Sequence, residues 1–223
     1  MQDSENTTKA LVGLYEHNDW LINLNFKLFM YLSGLQTQSR TSRVLDCGCA
    51  MGDFLKLLQR NGFINLCGVD ASSEMLVHAK KKINAEMFCC DVLKMSELIV
   101  ENSFDIITAM NIQHHIGYEE QWGLFVEQCR KILKPGGLLI MREPYPTLSF
   151  NVLRQMSNHR VFLNVNFLKK RIDSLIEERQ LLDYFTNRWP SFYKGSLKRS
   201  GFNIVREVSL IGHRIVVSNL LRK

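Results

Sequence analysis

Hydrophobic positions follow two rhythms along this chain. Between residues 9 and 35, Leu21, Leu24, Leu28, Leu32 and Leu35 recur every three or four positions with Trp20, Phe26 and Phe29 beside them, which predicts an amphipathic helix ending near Gly34. From Val44 onward the pattern changes. Short apolar runs predict strands over 65–70, 86–90, 104–109 and 138–142, and between them helical repeats predict helices over 73–84 and 119–133, with Pro135-Gly136-Gly137 as a turn. Repeated βα units with short connections predict a doubly wound α/β fold whose ligands sit at the C-terminal ends of the strands.

The alternation breaks after Arg142. Pro144 and Pro146 introduce a segment, 147–189, with helical patterns and no evident strand; directly after a strand end, it is expected to be a helical insertion serving as a lid. A helix over 191–200, the pair Gly201-Phe202 and strands over 203–207 and 213–219, with Gly212 as a hairpin residue, close the chain. The expected organisation is an N-terminal helical cap over 1–40, in which Tyr15, His17 and Trp20 are possible lid contacts, followed by one domain over 41–223 that contains the insertion. A chain of 223 residues has room for one such domain with a generous core.

One stretch carries the clearest chemical signal. In Arg43 to Phe54, RVLDCGCAMGDF, Val44 and Leu45 feed into Asp46-x-Gly48-x-Ala50-x-Gly52, and Phe54, Leu55, Leu57 and Leu58 lead away as a helical repeat. Glycine in a strand-to-helix turn permits positive φ and close ligand approach, and the helix start offers unpaired N–H groups. The small residues fall at every second position, so the dinucleotide fingerprint G-x-G-x-x-G is not met. Two more acids sit at later strand ends: Asp70 in GVDAS and Asp91 in FCCDVLKM. Asp70 follows the glycine loop by about twenty residues, the spacing at which a strand-end carboxylate meets ribose hydroxyls. Its alternative reading is an N-cap for the helix beginning at Ser73.

These residues resemble motif I and the following strand ends of the class I S-adenosylmethionine (SAM) dependent methyltransferases, with Ala50 in place of a usual glycine. The resemblance covers roughly 40–143 and, more loosely, 190–223. It implies a Rossmann-like, mostly parallel seven-stranded sheet with an antiparallel final strand, SAM as cofactor and S-adenosyl-L-homocysteine (SAH) as product. It also implies cofactor contacts at Asp46, Gly48, Ala50, Gly52, Asp70, Ala71, Asp91, Val92 and Asn111. Asp70 would take the ribose hydroxyls, Asp91 and the Val92 N–H the adenine, and Asn111 the methionine part. His114 and His115 in MNIQHHI, and Glu143 in MREPYP, are the catalytic candidates, since imidazole titrates near neutrality and suits removal of a proton from an attacking hydroxyl or amine. Tyr145, Tyr193 and His213 are secondary candidates.

Composition narrows the acceptor only partly. Net charge is +6, but residues 1–150 hold 14 Lys+Arg against 17 Asp+Glu and residues 151–223 hold 14 against 5. The basic C-terminal third is read as a solvated face or as a site for an anionic partner. A small-molecule methyl acceptor, possibly anionic, is the leading expectation; RNA or protein is the alternative, and SAM binding without methyl transfer a third. Asn111-Ile112-Gln113-His114 is not the Asn-Pro-Pro-Tyr of enzymes that methylate nucleic-acid amines. No metal site is expected: Cys47-x-Cys49 lacks a second ligand pair. Cysteines 47, 49, 67, 89, 90 and 129 are read as reduced, small core residues, and a polar N-terminus without a long apolar window points to a cytoplasmic protein with no membrane span. The sequence does not indicate an oligomeric state.

Overall fold

A computed structural model describes residues 19–116, 119–144, 193–210 and 213–221. Helix α1 (Asp19–Ser33) precedes strand β1 (Arg43–Cys47), helix α2 (Asp53–Arg60), β2 (Asn65–Asp70), α3 (Ser73–Lys82), β3 (Glu86–Cys89) and β4 (Phe104–Met110). Next come the one-turn helix α4 (Gln113–Ile116), α5 (Glu119–Ile132) and β5 (Leu133–Pro144), then α6 over 193–199, β6 (Phe202–Leu210) and β7 (His213–Leu220). The seven strands form one sheet in the order β3-β2-β1-β4-β5-β7-β6, parallel except that β7 runs antiparallel to both neighbours. This is the doubly wound sheet that the alternating pattern predicts.

Strand alternation splits the core into two layers. Leu45, Ile107, Leu139 and Val216 face a cluster with Trp122, Phe125 and Cys129 of α5 and Tyr193 and Leu197 of α6. Val44, Ile106, Ile140 and Ile215 face the opposite cluster, with Phe29, Phe54, Leu55, Leu58 and Leu76 from α1, α2 and α3. Helix α2 is a compact case of sequence dictating packing. Phe54, Leu55, Leu57 and Leu58 are all buried, while Asp53 in the first turn and Arg60 in the last complement the helix dipole.

Three expectations are corrected. One position of the leucine stripe turns outward: Leu24 is 54% exposed, whereas Leu32 packs partly and Leu35 fully into the cluster that also holds Phe29 and Met30. Phe26 and Phe29 pack at 5.2 and 5.5 Å from the Phe54 ring, so larger aromatic area decides which face turns inward. Pro135-Gly136-Gly137 does not separate a helix from a strand. It lies inside β5 as a bulge, the register jumping from Phe104↔Leu133 to Ile106↔Leu138, and a side chain at Gly137 would come within 3.0 Å of the Asp105 carbonyl. Finally, Cys47, Cys49, Cys67 and Cys129 are buried, but Cys89 is exposed and Cys90 only partly buried, because β3 is the edge of the sheet. The proposed lid 147–189, Tyr145, Tyr15, His17 and Gly212 lie outside the described residues, as does the side chain of Trp20.

Candidate functional site

The loop after β1 is held by its neighbours rather than by itself. Gly48 and Cys49 donate their N–H groups to the Val69 carbonyl at 2.8 and 3.1 Å, which ties the loop to the end of β2. Gly48 and Gly52 have φ of +67° and +73°. A Cβ on Gly48 would lie 2.3 Å from Ile112 Cγ2, so both conformation and space require glycine there. Ala50 also has positive φ, at 44°, where a methyl group costs about 1 kcal/mol. Its N–H donates to Asp70 Oδ2 at 2.9 Å, and that bond holds the irregular position of the motif in place.

Asp70 therefore joins two turns. Its other oxygen, Oδ1, accepts the Ser72 N–H at 2.9 Å. The N-cap of α3 is Ser72, whose hydroxyl accepts the Met75 N–H, so Asp70 is not the cap. Asp91, beyond the next strand, is exposed and accepts the Leu93 N–H at 2.9 Å through Oδ1. The Cys90 N–H donates to the Asp70 carbonyl at 3.2 Å, bringing the third acid's turn alongside the second's. Val92 packs partly against the core, and Ala71 is exposed in the turn between Asp70 and Ser72.

Asp46 is the buried member, 3% exposed and paired laterally with Thr108, whose hydroxyl donates to Asp46 Oδ1 at 2.7 Å. Burial pushes its carboxyl up to about 7; the nearby Asp70 charge adds to the rise and the Thr108 bond opposes it. The folded value lies above the ordinary value near 3.9, so Asp46 contributes most to stability below pH ~4 and loses that contribution as pH rises through about 7. Asp46→Asn, which keeps the shape without the titration, should thus gain stability relative to the native protein between pH 5 and pH 8, by roughly 2–4 kcal/mol. Urea denaturation of both proteins at the two pH values measures the difference, and parallel pH curves would refute it.

The other half of the site lies where β4 and β5 end. Asn111 has φ of 54°, and its N–H donates to the Arg142 carbonyl at 2.8 Å. Its amide oxygen is buried without a hydrogen-bond partner among the described residues. Ile112 donates its N–H to Glu143 Oε1 at 2.8 Å, and Glu143 is 5% exposed. The His115 N–H donates to the Ile112 carbonyl at 2.9 Å as α4 begins; its side chain is exposed. His114 lies in the same turn of helix, but its side chain is outside the described residues.

Arg142 points to the α1 face, its guanidinium 5.9 Å from the Phe29 ring centre. Tyr193 is fully buried and donates its hydroxyl to Glu207 at 2.8 Å, with burial pushing the phenol pKa up. Glu207 also pairs with Lys194 at 2.8 Å and Arg214 at 2.7 Å, so Tyr193 belongs to a charged cluster on β6 and β7. His213 is partly buried at the start of β7, opposite Pro144.

The structure thus gathers Asp46, Gly48, Ala50, Gly52, Asp70 and Asn111 around one loop, with Ala71, Asp91 and Val92 at the adjoining strand end. Thr108 and Ile112 contribute as well, and neither stands out in the sequence. Thr108 was signalled only by being a hydroxyl in the apolar run FDIITAM, and Ile112 by nothing local. A groove of about 280 Å³ lined by Arg43, Asn65 and Glu86 lies at the strand starts, the opposite edge of the sheet.

Comparison with known proteins agrees with this geometry. Residues 44–137 match the family described as a methyltransferase domain. The ubiquinone biosynthesis O-methyltransferase of Nitrobacter winogradskyi is 33% identical over 101 residues, 44% of this chain and 36% of that protein. The N-terminal Xaa-Pro-Lys N-methyltransferase 1 of Bos taurus is 27% identical over 147 residues, 61% of this chain and 64% of that protein. The chain spans less than two thirds of either relative's length. The fold is shared with magnesium protoporphyrin IX methyltransferase from Synechocystis PCC 6803, solved with bound SAH, at a TM-score of 0.61 and 16% identity, covering 88% of this chain and 82% of that one. Residues 44–137, under half of the chain, thus match a methyltransferase domain, and the sheet closed by an antiparallel strand with a glycine-bearing loop after its first strand is the fold shared with that structure.

Proposed function

We propose that this chain binds SAM at the β1 loop and transfers its methyl group to an oxygen, nitrogen or carbon nucleophile of a small molecule. The observation that carries the reading is the set of acids ending adjacent strands around that loop: Asp46 on β1, Asp70 on β2 and Asp91 just beyond β3. The residues present fit the cofactor. The buried, unpartnered amide oxygen of Asn111 is an acceptor suited to an ammonium group, and Asp70 is fixed by two backbone N–H groups at a strand end where a ribose would lie.

When bound, SAM supplies an electrophilic methyl on a sulfonium, open to in-line displacement. The chain's own part is positioning and exclusion of water. Asp70 orders the β1 loop, Asp91 and the Val92 N–H receive the adenine edge, and Ala71 flanks the ribose turn. The turn at Asn111 carries His114 or His115 toward the acceptor, where one imidazole removes the nucleophile's proton. No helix among the described residues is long and apolar enough to cross a membrane.

The acceptor class is testable directly. Calorimetry should show binding of both SAM and SAH, and product formation should appear with one class among hydroxyl, amine and carboxylate metabolites. A protein that binds neither ligand would end this reading. A macromolecular acceptor is the second reading, supported by the basic excess of residues 151–223 and by the Bos taurus relative's name. It requires binding to RNA, DNA or peptide that weakens steeply with salt, whereas a small-molecule enzyme retains little nucleic-acid affinity at physiological salt.

A further inference from the structure

We infer that Glu143 is a positioning residue of this site: through the Ile112 N–H it holds the β4–α4 turn against the glycine loop, and so shapes the cofactor seat without touching the reacting atoms. The inference rests on the proposed cofactor reading and adds a role to a residue that the sequence placed among catalytic candidates.

Three observations converge. Glu143 is buried, and its Oε1 receives the Ile112 N–H at 2.8 Å, a hydrogen bond strengthened by the carboxylate's charge. The residue before Ile112 in the turn, Asn111, sits in the left-handed region at φ 54°, which asparagine tolerates, and contacts from outside the turn fix it there. Those contacts come from consecutive residues of β5. The Asn111 N–H goes to the Arg142 carbonyl and the Ile112 N–H to the Glu143 carboxylate. Finally, the Ile112 side chain fills the space in which Gly48 would carry a Cβ, 2.3 Å from Ile112 Cγ2.

The mechanical consequence runs across three strands. A change at Glu143 frees the Ile112 amide, lets Ile112 leave the Gly48 surface and loosens both the β1 loop and the turn that presents the Asn111 amide oxygen. Because the His115 N–H is anchored on the Ile112 carbonyl, the start of α4 moves with it. Toward the Ile112 amide, the task of Glu143 requires an acceptor atom.

That requirement sets the test. Glu143→Ala removes the acceptor; Glu143→Gln keeps an amide oxygen in the same place and guards against reading a folding defect as a functional one. Calorimetry with SAH should show affinity reduced roughly tenfold to a hundredfold in Glu143→Ala and largely recovered in Glu143→Gln. Amide hydrogen exchange should show Ile112 losing protection in Glu143→Ala while residues 106–109 and 139–141 of the same sheet keep theirs. Wild-type affinity and an unchanged Ile112 amide in Glu143→Ala would overturn the inference. So would a Glu143→Gln protein as deficient as Glu143→Ala, which would make the charge itself essential. Failure of the native protein to bind SAH would remove the cofactor reading, and the Ile112 amide would still decide whether Glu143 holds the turn.

Discussion

Gly48→Ala should lower stability by roughly 2–4 kcal/mol and abolish measurable SAH binding. Two costs add at this position. The residue has φ of +67°, where any Cβ crowds the following carbonyl at about 1 kcal/mol. The new methyl would also lie 2.3 Å from Ile112 Cγ2 and 3.3 Å from Ile112 Cβ. A flexible side-chain end could swing away from such a clash; a β-branched one has few rotamers to use. Retreat of the Ile112 backbone is opposed by its 2.8 Å bond to Glu143. For a chain of this length the loss corresponds to a fall in melting temperature of roughly 5–15 °C. Thermal unfolding with and without SAH reads both effects. Adding Ile112→Ala should relieve the clash but not the φ cost, so the double variant should recover part of the stability, a coupling that a mutant cycle measures directly. A Gly48→Ala protein melting within about 2 °C of the native one would show that the two turns do not press on each other.

The same contact shows why part of the site could be read in the sequence and part could not. Asp46, Gly48, Gly52 and Asp70 are fixed by local rules: a strand must end, a tight turn must follow, and the next strand end comes one βα unit later. The seven-stranded sheet follows from the same repetition. Glu143 meeting Ile112 depends instead on how far β4 and β5 extend beside each other, and that register contains the bulge at 134–137. A one-residue slip would turn Glu143 to the other face. Sequence periodicity could not locate the bulge, because Pro135-Gly136-Gly137 is equally good chemistry for a turn. The outward turn of Leu24 on α1 has a related reason. Phe26 and Phe29 pack on the Phe54 ring, and Phe29 also meets the Arg142 guanidinium, which turns the helix so that Leu24 faces solvent while Leu32 and Leu35 stay with the core. Cys89 and Cys90 were assigned to the core because a strand with apolar neighbours is usually interior; only the strand order reveals that β3 is an edge.

Replacing Asp70 should separate its two possible roles by their different readouts. The Asp70 oxygens accept the N–H groups of Ala50 and Ser72, each at 2.9 Å. Asp70→Ala leaves both amides without that acceptor and removes the support of the strained Ala50, so the β1 loop loses its fixed shape and, under the proposed function, the ribose would lose its carboxylate. With charged hydrogen bonds worth about 1.5–3 kcal/mol each, SAH affinity should fall by about a hundredfold or more. Stability should fall by only about 1–2 kcal/mol, because water can reach this partly exposed turn and satisfy the amides. Ser72→Ala is the comparison that gives the result its meaning. It removes the hydroxyl that caps α3 through the Met75 N–H, at about 1 kcal/mol, while the Ser72 backbone N–H still reaches Asp70. The two substitutions should therefore cost similar stability but differ widely in SAH affinity. Equal, small losses of affinity in both would mean that the Asp70 carboxylate serves the turn and not the ligand. A large loss confined to Asp70→Ala would tie the strand-end acid to cofactor binding, through the ribose or through the β1 loop that it fixes at Ala50, and would exclude the α3 cap as the cause.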